Sequence, residues 1–219
     1  MSARVVLLTG PSGSGKSSLL RHLGVARLRL DDFYRQAGDP ALPLLTHGDA
    51  APADPAVAQA SSPTALLPDN PDAQVDWDHP DAWNADAAYE AIMALCQQGR
   101  AQVPVYDIGS SSVVGHSEVT LDGQHIFAAE GIFAGELVER CRAEGVLADA
   151  IVLRRPTVQT WWFRFRRDIR LARKPLWVII TRGLRLARQE RGLIDHWIAQ
   201  GCRPLSRSAC EARLRELMG

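Results

Sequence analysis

The sequence is poor in cysteine and in lysine, and the spacing of its few cysteines narrows the possible chemistry. Only two of its 25 basic residues are lysines, Lys16 and Lys174. The four cysteines are widely spaced and form no CxxC pair, which argues against a zinc site or a redox motif. We expect buried thiols without a chemical role at Cys96, Cys141, Cys202 and Cys210.

Long hydrophobic runs are also missing. A helix that spans a bilayer needs about 20 consecutive apolar residues, whereas the densest apolar segment here is the short PLWVII. The amino terminus, MSARVVLLTG, leads directly into an apolar strand pattern and lacks the charged and apolar regions of a signal peptide. We therefore expect a cytoplasmic protein that does not associate with a membrane.

Opposite charges balance over the whole chain but not along it. The 219 residues include 25 basic and 25 acidic ones, and 46% are hydrophobic, which is typical of a single globular domain. Residues 1–100 hold 7 Lys+Arg and 12 Asp+Glu, whereas the remainder holds 18 and 13. This asymmetry argues against a general nucleic-acid binder and suits a Mg²⁺-nucleotide held between carboxylates and arginines.

Short apolar segments alternate with helical patterns along the chain. Such alternation predicts an α/β fold in which helices cover both faces of a parallel sheet. The predicted strands are 4–9, 26–31, 102–107, 125–130 and 149–154, and the predicted helices are 16–23, 85–98, 135–144 and 157–173. The stretch TLDGQH, residues 120–125, predicts a tight Asp-Gly turn between two antiparallel strands.

One long segment interrupts the alternation. Residues 36–74 are rich in Pro, Ala and Asp and have no sustained periodicity. Connections of this length are uncommon within a compact domain and are usually functional flaps or disordered. We interpret 36–74 as a flap or a disordered insertion within a single domain that covers residues 1–219.

The stretch TGPSGSGKSS, residues 9–18, matches the P-loop pattern G-x-x-x-x-G-K-[ST]. It lies between a predicted strand and a predicted helix. Glycines let the backbone turn so that its N–H groups point inward, and the helix N-terminus adds positive potential for phosphate. We expect Lys16 to reach the β- and γ-phosphates of ATP and Ser17 to bind Mg²⁺. The predicted ATP-binding residues are Gly10, Gly13, Ser14, Gly15, Lys16, Ser17 and Ser18.

Two adjacent carboxylates, Asp31 and Asp32, end the predicted strand that follows the P-loop helix. Their mutual repulsion costs stability unless a partner uses the charge. A hydroxyl that accepts a phosphoryl group needs a carboxylate within hydrogen-bond reach to orient it and take its proton. Residues at this strand end are in a position to point into the same crevice as the P-loop, which favours a kinase.

Six stretches, in this order, resemble landmarks of the uridine kinase family of P-loop kinases and its phosphoribulokinase-like relatives. They are GPSGSGKSS, LDDFY, DWDHPDAW, VPVYD, EGIFA and RRDI, all within about residues 4–174. The resemblance implies a P-loop NTPase fold with an arginine lid helix. It also implies transfer of the γ-phosphoryl of ATP, with Mg²⁺ as cofactor, to the primary hydroxyl of a uridine- or cytidine-like ribonucleoside.

The resemblance assigns several residues to the acceptor. It makes Asp31 the general base and ribose contact, and Asp78 a contact to the other sugar hydroxyls. Tyr34 and Tyr106 are implied substrate-binding residues, although a strand-end tyrosine with its hydroxyl at the surface is an equal alternative for Tyr106.

The resemblance also assigns residues to the metal and to the transferred phosphoryl group. Glu130 is implied to bind Mg²⁺ through water, together with Ser17 and with support from Asp32; a helix N-cap or a solvated acid is the alternative for Glu130. Arg164 and Arg167 lie opposite an apolar stripe of their predicted helix. The family order makes them lid arginines that stabilise the transferring group, against the alternative of a solvated helix face.

The acceptor is the least constrained part of the prediction. Ser111 stands where family members place the histidine that reads the pyrimidine, and His116 substitutes for it only if the loop folds back. Another sugar, pantothenate or nicotinamide riboside therefore stays open as acceptor. Outside the kinases, the alternative is a nucleotide-dependent switch, which leaves Asp31 and Asp78 without a role. The expected partners are ATP and a small hydroxylated acceptor, with a homo-oligomer left open.

Capping signals complete the prediction. Asp81 or Asn84 is suited to cap the helix that begins near Ala85. The sequence of residues 175–219 shows no sign of the family's usual late strand. Its pattern predicts a helical C-terminal extension of two or three amphipathic helices. The last of these is expected to start at the capping box SACE, Ser208 to Glu211.

Overall fold

Apolar strands form a five-stranded parallel sheet in the computed structural model, which describes residues 2–11, 13–43, 75–77, 79–107, 109–154 and 192–219. The strands are β1 (Arg4–Thr9), β2 (Ala26–Arg29), β3 (Arg100–Asp107), β4 (Ser112–Thr120), β5 (Ile126–Glu130), β6 (Leu147–Leu153) and β7 (Arg203–Leu205). The parallel sheet has the order β2-β5-β1-β6-β7. The helices are α1 (Lys16–Leu23), α2 (Ala85–Gln98), α3 (Val138–Ala143), α4 (192–199) and α5 (Arg207–Met218).

Strand β1 shows why the sheet is covered on both faces. Its alternate residues Val5 and Leu7 pack into one core cluster with α2, whereas Val6 and Leu8 pack into a second cluster with α1 and α5. All four side chains are fully buried. A strand buried on both faces has a continuous apolar sequence, and this is the pattern that predicted it.

The predictions for the first elements are confirmed closely. Strand β1 and helices α1 and α2 have the expected bounds. Asn84 is the cap of α2, since its side chain accepts a hydrogen bond from the Ala87 amide at 3.1 Å. The helix expected over 135–144 is instead a 3₁₀ turn, Ala134–Leu137, followed by α3.

The third predicted strand lies outside the parallel sheet. It is β3, which pairs with β4 as an antiparallel hairpin. The tight turn at Asp122 and Gly123 is present, with φ of 48° and 84°, but it joins β4 to β5. These two strands pair with different partners, so the hairpin predicted at this turn is wrong.

Two predictions for the C-terminal part are also wrong. A late strand is present, because β7 pairs in parallel with β6. Helix α5 is capped by Ser206 rather than Ser208, since the Ser206 hydroxyl accepts from the Ala209 amide at 3.3 Å. Cys210 and Leu214 of α5 are fully buried against the sheet, so this helix belongs to the core.

The two ends of the interrupting segment meet. Leu42 and Val75 are both 8% exposed and pack in one small cluster with Ala82. The Asp76 amide donates to the Pro43 carbonyl at 2.9 Å. The first residues of the predicted flap, 36–43, are therefore anchored to the domain, and 44–74 lie outside the described residues. None of the helices in the described ranges is long and apolar enough to cross a membrane.

Candidate active site

The P-loop lies between β1 and α1 and is held in a wrapped conformation. Gly10 has φ of +141° and passes so close to β6 that a Cβ there would lie 2.9 Å from the Leu153 carbonyl oxygen. Lys16 is 8% exposed, and its Nζ donates to the Gly10 carbonyl at 2.6 Å and to the Pro11 carbonyl at 3.3 Å. The loop thus closes around its own lysine, which places a buried cation beneath the backbone amides.

A buried hydroxyl marks the inside of the same loop. Ser14 is 1% exposed, and within the described structure its Oγ has no hydrogen-bond partner. Buried polar atoms are rarely left unpaired without a reason, and a ligand is one such reason. The loop therefore contains a polar atom of the kind that a bound phosphate would satisfy.

Ser17 and Glu130 face each other at the start of α1. The Ser17 hydroxyl donates to Glu130 Oε1 at 2.6 Å, and Glu130, at the end of β5, is 5% exposed. Arg27 of β2 contacts the same oxygen at 3.5 Å. Mg²⁺ in kinases is usually held by one or two protein oxygens together with phosphates and waters. This hydroxyl and carboxylate fit that donor set, although the described part of the chain contains no cluster of three or more metal-ligating side chains.

Asp31 and Asp32 lie on a 3₁₀ turn, Leu30–Phe33, that directly follows β2. Two contacts hold the turn in place. The buried Trp83 indole donates to the Leu30 carbonyl at 2.7 Å. Gly131 backs the turn so closely that a Cβ on it would lie 2.8 Å from Leu30 Cβ and 3.0 Å from Asp31 Oδ1.

Both aspartates have shifted proton affinities. Burial by the surrounding protein raises the pKa of Asp31, and Glu130 raises it further, whereas Lys16 and a hydrogen bond from the Ile132 backbone lower it. Burial also raises the pKa of Asp32, and Arg29, 3.4 Å away, opposes this. Asp31 is nevertheless exposed on one side. An exposed carboxylate with a raised pKa is a candidate for contacting a ligand and accepting a proton.

Aromatic rings cluster beyond this turn. The ring of Tyr34 lies 5.8 Å from Tyr106, 5.9 Å from Phe133 and 6.1 Å from Trp77. The Tyr106 hydroxyl donates to the Arg35 carbonyl at 3.2 Å. The two tyrosines that the resemblance assigned to the substrate are therefore brought together, and the Tyr106 hydroxyl bonds inward to the neighbouring segment.

A cavity of about 480 Å³ adjoins Tyr34, between α2 and the β3–β4 hairpin. His116 lines it, opposite Pro104 in the hairpin register, whereas Ser111 lies in the hairpin turn and accepts the Ala37 amide at 2.8 Å. His116 is therefore separated along β4 from the position that Ser111 occupies. Neither the P-loop nor Asp31 lines the cavity, so it lies beside the phosphate-binding residues and not on them.

Comparison with known proteins identifies the family. Residues 5–170 match the model of the phosphoribulokinase / uridine kinase family, which is more than half of the chain. The chain belongs to this family. Uridine kinase of Saccharomyces cerevisiae (strain ATCC 204508 / S288c) is 26% identical over 137 residues, which cover 59% of this chain and 22% of that protein. The chain therefore spans about a fifth of the length of this relative.

A solved structure shows the same fold. A candidate fructose transport system kinase from Silicibacter sp. TM1040 superposes with a TM-score of 0.52 at 18% identity, covering 87% of this chain and 85% of that one. The predicted P-loop kinase fold, with its parallel sheet and flanking helices, is confirmed.

In this member of the phosphoribulokinase / uridine kinase family, most of the predicted site residues lie near the carboxyl ends of the parallel strands. Ser18, the last predicted ATP-binding residue, belongs to the first turn of α1. Asp78, Arg164 and Arg167 lie outside the described residues.

Sequence reasoning favoured a packing role for Trp83, which is buried, but it gave no part in positioning the site to Arg27, Trp83 or Gly131. Arg27 had a signal, because arginines in a short strand next to two carboxylates suggest an ion pair. Trp83 and Gly131 act through packing across the fold, which the sequence does not display.

Proposed function

We propose that this protein is an ATP-dependent kinase that transfers the γ-phosphoryl group to the primary hydroxyl of a ribonucleoside-like acceptor. The observation that carries the proposal is the position of Asp31. This residue is exposed, and its carboxylate interacts electrostatically with Lys16 on the P-loop and with Glu130 beside Ser17. A P-loop protein that only hydrolyses its nucleotide has no need of a carboxylate held there for an acceptor.

The P-loop side of the site binds the donor. The backbone amides at residues 13–18 and the Lys16 ammonium would hold the β- and γ-phosphates, since a helix N-terminus and a buried cation both favour anions. Ser17 and Glu130 would hold Mg²⁺, which neutralises charge on the phosphates when it is bound. Asp32 is paired with Arg29 and interacts electrostatically with Glu130.

The acceptor side supplies the base. The Asp31 carboxylate would accept the proton of the attacking hydroxyl as the oxygen bonds to the γ-phosphorus and the bond to the β-phosphate oxygen breaks. Its raised pKa makes it a stronger base than an ordinary aspartate. We propose Tyr34 and Tyr106 as walls for the acceptor, Asp78 as a contact to its other hydroxyls, and Arg164 and Arg167 as lid residues on the transferring group.

One observation supports a second class of acceptor. Ser111 occupies a hairpin turn with φ of 47°, and it stands where the family's base-reading histidine would be. A serine there does not provide the imidazole that distinguishes a pyrimidine. A sugar, pantothenate or nicotinamide riboside is therefore the alternative acceptor for the same phosphoryl-transfer chemistry.

The experiment is an acceptor screen. ADP release from ATP and Mg²⁺ is measured with uridine, cytidine, purine nucleosides, nicotinamide riboside, pantothenate and simple sugars, and each product is weighed by mass spectrometry. Lys16→Met serves as a variant that lacks the phosphate-binding cation and should abolish every signal.

The outcomes separate the readings. Uridine- or cytidine-dependent ADP release with a nucleoside monophosphate as product supports the proposal. A phosphorylated sugar or pantothenate retains the chemistry and replaces the acceptor. ATP turnover that no acceptor changes, and that Asp31→Asn leaves intact, would contradict the proposal and favour a nucleotide-dependent switch.

A further inference from the structure

An arginine from the far end of the chain contacts the P-loop. Arg207, the first residue of α5, donates from Nη1 to the carbonyl oxygen of Gly15 at 3.2 Å. Gly15 is the residue that directly precedes α1, where it adopts a left-handed conformation with φ of 93°. The guanidinium therefore lies against the segment of backbone that leads into Lys16 and Ser17.

The start of α5 is held at this place by contacts that do not involve the P-loop. The Arg154 amide donates to the Leu205 carbonyl at 2.8 Å, which continues the β6–β7 pairing up to the turn before the helix. Ser206 caps the helix. Arg207 is thus presented from a fixed point at the carboxyl edge of the sheet.

A buried carboxylate also helps to hold α5 in position. Asp149 of β6 is 9% exposed and accepts hydrogen bonds from Arg203 of β7 and from Arg213 of α5, the latter at 2.7 Å. One anion therefore ties three elements together: β6, β7 and α5. A buried carboxylate shared by two guanidiniums gives a well-defined geometry.

Sheet order shows on which side of the P-loop Arg207 lies. Strands β2 and β5, which carry Asp31 and Glu130, are on one side of β1, and β6 and β7 are on the other. The γ-phosphate must face the acceptor and hence Asp31. In the proposed donor site, the rest of the nucleotide would then extend from the P-loop toward β6, β7 and Arg207.

We infer that Arg207 is a nucleotide-positioning residue that couples helix α5 to the P-loop. Its hydrogen bond fixes the Gly15 carbonyl, and thereby the orientation of the peptide that leads into the phosphate-binding amides. A guanidinium has five N–H donors, and its cation beside the loop also favours the anionic nucleotide. The inference rests on the proposed donor site but requires no particular acceptor.

The test measures ADP binding without any acceptor, by calorimetry on the full chain, together with the thermal midpoint of each variant. Arg207→Ala should raise the Kd for ADP about tenfold, because the loop that Arg207 fixes must then be ordered on binding and the cation beside the anionic nucleotide is lost. Arg207→Lys should recover most of this loss, because an ammonium can donate to the same carbonyl. Neither change should move the thermal midpoint by more than a surface substitution does.

Two arginines of α5 provide matched controls. Arg215 pairs with Glu211 on the exposed side of the helix, so Arg215→Ala should change neither Kd nor thermal midpoint. Arg213→Ala removes a partner of Asp149, so it should lower the thermal midpoint while the folded protein binds ADP with unchanged Kd.

The result that overturns the inference is a wild-type Kd for Arg207→Ala, or a rise in Kd that Arg213→Ala reproduces. Failure of the proposed function has a different signature. In that case the wild-type chain itself binds no ADP, and the inference falls with the donor site.

Discussion

Asp31 combines exposure to a ligand with a raised pKa, and these two properties make opposite demands on the protein. Burial by its surroundings destabilises the ionised form, which is the form a general base needs. Of the charged neighbours that act on it, Lys16 has the largest influence in favour of ionisation. Catalytic groups are commonly kept in such an unfavourable environment because function, and not stability, requires them.

We predict that Asp31→Asn lowers turnover with the preferred acceptor about 10²- to 10⁴-fold, the usual contribution of a general base. ADP binding should stay near wild type, since the P-loop is unchanged. Steady-state kinetics and calorimetry on the same preparation check this. Turnover within threefold of wild type would contradict the assignment of Asp31.

The same carboxylate gives a pH prediction. A raised pKa in the folded state means that this group contributes stability below the ordinary pKa of 3.8, and that the contribution is lost as pH rises through the raised value. Asp31→Asn should therefore be more heat-stable than wild type at pH 7, and the difference should shrink toward pH 4. Wild-type turnover should rise over the same range as the carboxylate ionises. Thermal midpoints and rates measured from pH 4 to pH 8 test both.

Gly131 gives a second prediction about Asp31. A Cβ at this position would lie 2.8 Å from Leu30 Cβ, so Gly131→Ala must displace the turn that carries the aspartate. Turnover should fall at least tenfold, because displacement of a positioned group by about 1 Å is costly. Gly115→Ala is the control, since no heavy atom lies within 4 Å of its Cβ position. Equal turnover in the two variants would contradict this account of how Asp31 is positioned.

Among the elements, α5 shows how a helix from the end of the chain is joined to the P-loop. Its start carries Arg207 against the P-loop, and its buried face packs on the sheet beside α1. The N-cap therefore affects both the helix and the contact to Gly15. The sequence offers two serines for this cap, Ser206 and Ser208, and the fold uses the first.

We predict that Ser206→Ala lowers the free energy of unfolding by about 1 kcal/mol, because the Ala209 amide loses its acceptor. Ser208→Ala should change it by less than about 0.5 kcal/mol, as for an ordinary surface substitution. Urea unfolding of both variants measures the difference. A larger effect of Ser208→Ala would contradict the assignment of Ser206 as the cap and favour the capping box that begins at Ser208.

Across the whole molecule, the four buried thiols provide a probe of whether the hydrophobic core is closed. Cys96, Cys141, Cys202 and Cys210 are all buried and free, and they belong to the clusters on both faces of the sheet. Burial raises the pKa of Cys141 to about 12 and that of the other three to about 11. Since the thiolate is the reactive form, these groups should be inert in the folded protein.

We predict that the native protein reacts negligibly with a thiol reagent such as DTNB at pH 8, and that the unfolded chain reacts at four sites. The observed rate in mild denaturant should then follow the opening of the core. Rapid labelling of any one thiol under native conditions would show that its cluster opens locally, and peptide mapping would identify it.

Several features of this protein could be read from the sequence because they depend on neighbouring residues. The P-loop is specified within ten positions, and the bounds of β1, α1 and α2 follow from apolar periodicity and local caps. The adjacent carboxylates Asp31 and Asp32 predict a ligand through their mutual repulsion, and this stays a prediction. The family followed from the order of such local motifs and is confirmed.

Other features were decided only by the tertiary structure. Whether an apolar strand joins the parallel sheet or a hairpin depends on which strand it pairs with, and the period-two pattern of β3 is the same in both cases. The three residues of β7 are too few to show any pattern, and they form a strand because β6 offers a free edge.

The contacts that hold the site together have the same origin. Trp83 reaches Leu30, Gly131 backs Asp31, and Arg207 bonds to Gly15 from 192 positions away along the chain. The sequence determined which chemical groups are available, because phosphate loops, caps and paired carboxylates act locally. The fold alone determined which of them meet, because contacts between distant residues depend on strand order and close packing.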